Sequence, residues 1–171
     1  MKNTKWTIDN AHSDIAFKVR HMMISTVTGH FEDFEATVKT NGDSFENASI
    51  EFSAKTDSIN TKNNDRDNHL RSNDFFNAEK FPEMKFVSKS FDGDKLVGDL
   101  TIRDVTKEIT LDAEFNGIAV DSYGQTKAGF EIAGEINRKE FDLTWNAVTE
   151  AGSIVVSDKV RLVIDAQFIK N

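Results

Sequence analysis

The chain contains no cysteine, which removes thiol catalysis, thiolate metal sites and disulfides. Four histidines are present: His12, His21, His30 and His69. None has the His-Glu-x-x-His spacing that sets two imidazoles on one helix face. Ser13 adjoins His12, but neighbouring residues of a strand point to opposite faces, so the two do not form a nucleophile–base pair. A Gly-x-Ser-x-Gly elbow and a glycine-rich phosphate loop are both missing. A hydrolytic or metal-assisted centre would therefore require His12, His21, His69 and a carboxylate such as Asp67 to converge from distant parts of the chain. The densest polar group is Arg66, Asp67, His69 and Arg71. Two readings fit it: ion pairing and capping within a loop, or recognition of a polar or pyrophosphate headgroup through a bidentate guanidinium. In the second reading Arg66 and His69 hold the headgroup.

Period-two alternation dominates the elements that must carry these residues. Ile15, Phe17, Val19 and His21 share one face, followed by Phe34, Ala36 and Val38, and then Ala48, Ile50, Phe52 and Ala54. Met84 and Phe86 follow the single proline, Pro82. Further sets are Leu96–Ile102, Ile109–Phe115, Ala128–Ile136 and Val160–Phe168, each read at every second residue. Turn signals stand at Asn41-Gly42-Asp43, Asp92-Gly93-Asp94, Arg103-Asp104, Asn116-Gly117 and Ser122-Tyr123-Gly124. Short connections between alternating runs predict an antiparallel meander of eight strands. Periodicity alone leaves open whether these close into a barrel or stack as two sheets. One stretch, 57–82, breaks the alternation. Its residues 65–71 open with acids and lack β-branched side chains, which predicts a short helix within about 65–76. Phe75 and Phe76 are then apolar anchors, either of a plug or of a lid over a channel.

The chain has 171 residues, of which 38% are hydrophobic and 29% charged, enough for one domain with a sizeable core. Its formal net charge of −8 argues against nucleic acid as a partner and disfavours docking on anionic lipid headgroups. No run reaches the roughly 20 apolar residues of a transmembrane helix. Residues 1–10 lack the apolar centre of a signal peptide, which reads as cytoplasmic; a chain whose leader had been removed would be periplasmic and look the same. Fourteen of the seventeen aromatic residues are Phe, a ring with no polar handle and suited to a dry interior.

Several blocks together resemble the YceI-like family. They are His12-Ser13-x-Ile15-x-Phe17-x-Val19-x-His21, Gly29-His30-Phe31, and Arg66-Asp67-x-His69-Leu70-Arg71-Ser72-x-Asp74-Phe75-Phe76. Phe81-Pro82, Gly98-x-Leu100-Thr101-Ile102, Val105-Thr106-Lys107 and Ile136-Asn137-Arg138 extend the resemblance over nearly the whole chain. Asp142 stands where the pattern has glycine, a departure that bears on the local bend. The resemblance implies an all-β, lipocalin-like eight-stranded barrel in a single domain over 1–171. It also implies a pore for an isoprenoid lipid (polyisoprenoid, polyprenyl pyrophosphate or isoprenoid quinone), a homodimer, and no catalytic cofactor or metal. The pore lining expected from it comprises Phe17, Val19, His21, Phe34, Val38, Ile50, Phe52, Phe75, Phe76, Phe86, Leu100, Ile102, Phe130 and Ile132.

A prenyl tail burying about 400 Å² gives roughly 10 kcal/mol at about 25 cal/mol per Å². Association costs of about 4–15 kcal/mol offset most of this, so affinity should rise with tail length. Two other functions stay open on the residues alone: a histidine-based enzyme, and a ligand-free stress-response protein with a filled core.

Overall fold

The computed structural model describes residues 3–146 and 155–171, so Met1 and Lys2 of the polar N-terminal stretch lie outside it. Eleven strands occur among these residues: β1 (Thr4–Ile8), β2 (Asp14–His21), β3 (Ser25–Phe31), β4 (Phe34–Asn41), β5 (Ser44–Lys55), β6 (Ile59–Asn60), β7 (Glu83–Phe91), β8 (Lys95–Ile102), β9 (Val105–Val120), β10 (Thr126–Asn137) and β11 (Val156–Lys170). The α-helix among them is α1 (Asn64–Arg71). Every strand pairing is antiparallel.

The strands β1, β4, β5, β7, β8, β9, β10 and β11 form a ring of eight, closed where β1 pairs with β11. The barrel thus decides between the two architectures that alternation leaves open, and it removes the exposed edges a sandwich would keep. Eight is also the number of alternating runs in the sequence, although two of them are longer than alternation suggests. The β1–β2 segment is one bent strand along β11, with Ile8 opposite Phe168 and Ile15 opposite Ile164. The β3–β4 segment is likewise one bent strand, broken at Glu32-Asp33. Asn116-Gly117 is not a turn. It lies inside β9, where the pairing with β10 slips by one residue and Gly117 takes φ 109°.

Past Phe31 the wall divides. β4 continues on β5, whereas β3, paired with β2 on one side, meets only the two residues of β6 on the other. The chain leaves the wall after Lys55 and rejoins it at Glu83. Residues 56–82 occupy the division, with α1 as their regular element. Asn63 caps that helix by accepting the Arg66 N–H at 3.0 Å.

One end of the barrel is solid. Trp6 is fully buried, packs tilted against Phe45 with ring centres 4.9 Å apart, and donates its indole N–H to Thr40 Oγ1 at 2.9 Å. Phe130 lies 5.0 Å from Phe45, 6.4 Å from Phe91 and 6.1 Å from Phe168. These rings fill the section between β1, β5, β7, β10 and β11.

Candidate functional site

Above the aromatic plug the barrel is hollow. A cavity of about 180 Å³ runs between inward-facing side chains of most wall strands. Its wall includes Phe17 and Val19 of β2, Ile50 and Phe52 of β5, Phe86 of β7, Leu100 and Ile102 of β8, Ile132 of β10, and Leu162 and Ile164 of β11. Leu70, Phe75 and Phe76 of the 56–82 segment complete it. The alternation of each strand places these side chains inward, and opposing small residues leave room for the rings. Gly29 faces Phe17 across β2 and β3, and a Cβ on Gly29 would sit 2.3 Å from that ring. Arg138 is the one charged residue in the lining.

Ten of the fourteen residues expected in the pore therefore line the cavity, and four do not. Val38 and Phe130 are buried in the solid end, where aromatic packing leaves no space. Phe34 is buried beside the break between β3 and β4, outside the cavity wall. His21 has the inward parity, but β2 ends there and the side chain is exposed. Leu162, Ile164 and Phe168 were legible as an alternating face of the last strand and belong in the lining. So does Arg138, two residues beyond Ile136 at the same parity.

The polar residues of the 56–82 segment hold it together. Arg66 donates Nε–H to Thr61 Oγ1 at 2.7 Å and Nη2–H to the Thr61 carbonyl at 2.6 Å. Asp67 is buried and accepts from Thr61 N–H at 2.9 Å and from its hydroxyl at 2.5 Å. Arg71 reaches back to the carbonyls of Asp57 and Ile59 at 2.9 and 3.3 Å. His69 pairs with Asp74 at 2.8 Å and lies edge-on to Phe75 and Trp145, with ring centres 5.1 and 4.6 Å away. Of the pair expected to hold a headgroup, Arg66 Nε and Nη2 and His69 Nε2 are thus engaged in folding the lid. The lid is also pinned from outside, because Arg103 at the β8–β9 turn donates Nη1–H to the carbonyls of Asn73 and Phe75 at 2.9 and 2.8 Å.

Arg138 plays a similar part at the cavity wall. It is 3% exposed, and it donates to the carbonyls of Leu143, Trp145, Val156 and Ser157 at 2.5, 2.8, 3.3 and 2.9 Å. Burial lowers its pKa from the usual arginine value, and Asp158 opposes that shift. The bend beside it is kept without glycine, since Asp142 adopts the left-handed conformation with φ 63°.

The histidines do not gather. His12 pairs with Asp9 at 2.9 Å in the 3-10 turn between β1 and β2, and His30 of β3 pairs with Asp14 of β2 at 2.7 Å; none of the four lines the cavity. Among the described residues no group of three His, Asp or Glu side chains stands close enough to hold a metal ion. No helix among them is long and apolar enough to cross a membrane.

A closed antiparallel barrel with a solid end, an apolar hollow and a pinned lid is a lipocalin-like barrel. The YceI-like domain pattern matches residues 6–168, and the chain belongs to that family. A UPF0312 protein of Staphylococcus epidermidis is 42% identical over 168 residues, which span 96% of this chain and 97% of that one. The solved YceI protein of Campylobacter jejuni is 37% identical and superposes with a TM-score of 0.75, over 95% of this chain and 96% of that one. A polyisoprenoid binding domain from Saccharophagus degradans, implicated in plant cell wall breakdown, superposes with a TM-score of 0.69 over 97% and 98%. At 14% identity that last likeness shows the fold alone.

Proposed function

We propose that this protein binds an isoprenoid lipid inside the barrel, to carry, store or sense it, and that it is a binding protein rather than an enzyme. The observation that carries the reading is the cavity itself, a hollow enclosed by aliphatic and aromatic side chains. A dry, apolar site of this kind takes an apolar guest and gives a polar substrate nothing to hydrogen-bond. The fold shared with a polyisoprenoid binding domain supports the choice of lipid.

Volume sets how such a ligand sits. The 180 Å³ hollow is somewhat larger than the roughly 150 Å³ engineered cavity that accepts one benzene. It therefore admits one or two isoprene units as it stands. A longer tail has to displace side chains, and the half-buried ones on the wall, Phe17, Phe52, Leu70, Ile132 and Leu162, have the freedom to move. Each further unit then gains burial and costs rearrangement, so affinity rises with tail length but less steeply than area alone implies.

Organic extraction of the purified protein followed by mass spectrometry tests the reading. An isoprenoid chain recovered in near-stoichiometric amount is the expected result. Recovery of a different class of molecule, together with no binding of added isoprenoids, overturns it.

A further inference from the structure

The β2–β3 hairpin is built against the local preferences of its residues. Met22 and Met23 take φ values of 51° and 61°, in the left-handed region that glycine, asparagine and aspartate tolerate far better. Tight hairpins with consecutive positive φ favour Asn-Gly. Here two methionines occupy the tip and Ile24 follows, and the three are 37%, 57% and 76% exposed, so they add little to the core. The tip is nevertheless held in shape. Arg20 donates to the Met23 carbonyl and to Thr26 Oγ1, both at 3.1 Å, and Met22 N–H donates to the Val155 carbonyl at 2.7 Å. Strain retained at exposed apolar residues points to a use for them outside the fold.

The surface beneath the tip is cationic in an acidic protein. A shallow groove is lined by Lys18, Arg20, Lys159 and Arg161 against two carboxylates, Glu135 and Asp158. Those carboxylates are engaged, Glu135 by Lys159 at 3.5 Å and Asp158 by Lys139 at 3.3 Å. Among the described residues Lys18, Arg20 and Arg161 have no carboxylate within ion-pair distance. The net charge of −8 belongs to the whole molecule, whereas a flat anionic surface senses only charges within a Debye length, about 8 Å at physiological salt. Val19 lines both this groove and the cavity, and Val156 of the cavity wall sits opposite His21. The tip is therefore at the hollow end of the barrel, away from the aromatic plug.

We propose that the β2–β3 hairpin docks the protein on an anionic phospholipid bilayer. Met22, Met23 and Ile24 enter the boundary between headgroups and acyl chains, while Lys18, Arg20 and Arg161 lie against phosphates. An apolar tip flanked on one face by cations is the arrangement interfacial binding requires. The proposal does not depend on what fills the cavity, because its readout is binding to vesicles.

Co-sedimentation of the full chain with vesicles tests it, comparing mixed phosphatidylglycerol–phosphatidylcholine vesicles with phosphatidylcholine alone. Binding to the anionic vesicles that disappears at high salt is expected. The double substitution Met22→Asn, Met23→Gly suits the turn and removes the apolar tip, so the melting temperature should hold or rise while vesicle binding drops at least about tenfold. Lys18→Gln with Arg161→Gln should lower binding about 25-fold, taking roughly fivefold per near-surface cation. The proposal is overturned if the wild type binds anionic vesicles no better than neutral ones, or if the turn variant binds them as well as the wild type. A dimer that needs Met22 and Met23, without vesicle binding, overturns it in favour of a second copy of the chain.

Discussion

Filling the hollow should raise the stability of the lipid-free protein and weaken ligand binding at the same time. Leu162 suits this perturbation because it lines the cavity, is half-buried, and lies opposite Gly134 on one side and Phe17 on the other. Leu162→Phe adds three carbons. At about 0.8 kcal/mol per buried methylene this is worth roughly 2 kcal/mol. The 180 Å³ of free space lets the ring enter without the overpacking that penalises such changes in a full core. For a chain of this size about 2 kcal/mol raises the melting temperature by roughly 4–8 °C. The ligand loses the same space, and a loss of about 2 kcal/mol in binding is close to 30-fold in Kd. Thermal unfolding of delipidated protein and an isoprenoid titration, run on the same samples, read both quantities. A variant that melts lower than wild type and binds isoprenoid equally well would refute the reasoning, since it would show the site is neither empty nor used.

Arg103→Ala removes the outer pin of the lid, so release of bound isoprenoid in stopped-flow exchange should quicken about tenfold while Kd changes less. Asp9 and Lys127 form a largely buried pair at 2.8 Å joining the β1–β2 bend to β10. Lys127 holds the Asp9 carboxyl below its ordinary 3.8, and Asp9 raises the Lys127 ammonium above 10.5. The pair's stabilisation is thus full between those two values; it is lost as pH falls through the lowered Asp9 pKa and as pH rises through the raised Lys127 pKa. Lys127→Met should lower the denaturant midpoint near neutrality and change it much less at either pH extreme. Asp142→Gly should stabilise by about 0.5 kcal/mol in the same melts, because glycine takes the left-handed conformation without the Cβ penalty.

Much of the wall was legible in the sequence because strand alternation reports one-sided burial directly. Phe17, Phe52, Phe86, Leu100 and Ile132 lie where parity sets them. Parity cannot report height along the barrel, which is why Val38 and Phe130 fall into the solid end and His21 beyond the wall. Trp6 was hidden for another reason: β1 is short and its polar neighbours mask a single buried ring. Barrel closure depends on Ile8 meeting Phe168 across 160 positions of chain, a pairing no local pattern encodes. The stretch 57–82 was recognisable as distinct, and its helix, Asn64–Arg71, begins one residue before the expected start and ends inside the expected span. The direction in which Arg66 and His69 point was not, since their partners Thr61 and Asp74 are equally consistent with a free cluster until the backbone is placed.

Native mass spectrometry reads the occupancy of the barrel most directly. The protein as purified should carry one lipid per chain. After delipidation the bare chain should regain one isoprenoid and hold a longer tail more strongly than a shorter one. Bare chain as purified, with no uptake of added isoprenoid of any length, would contradict a lipid-binding barrel.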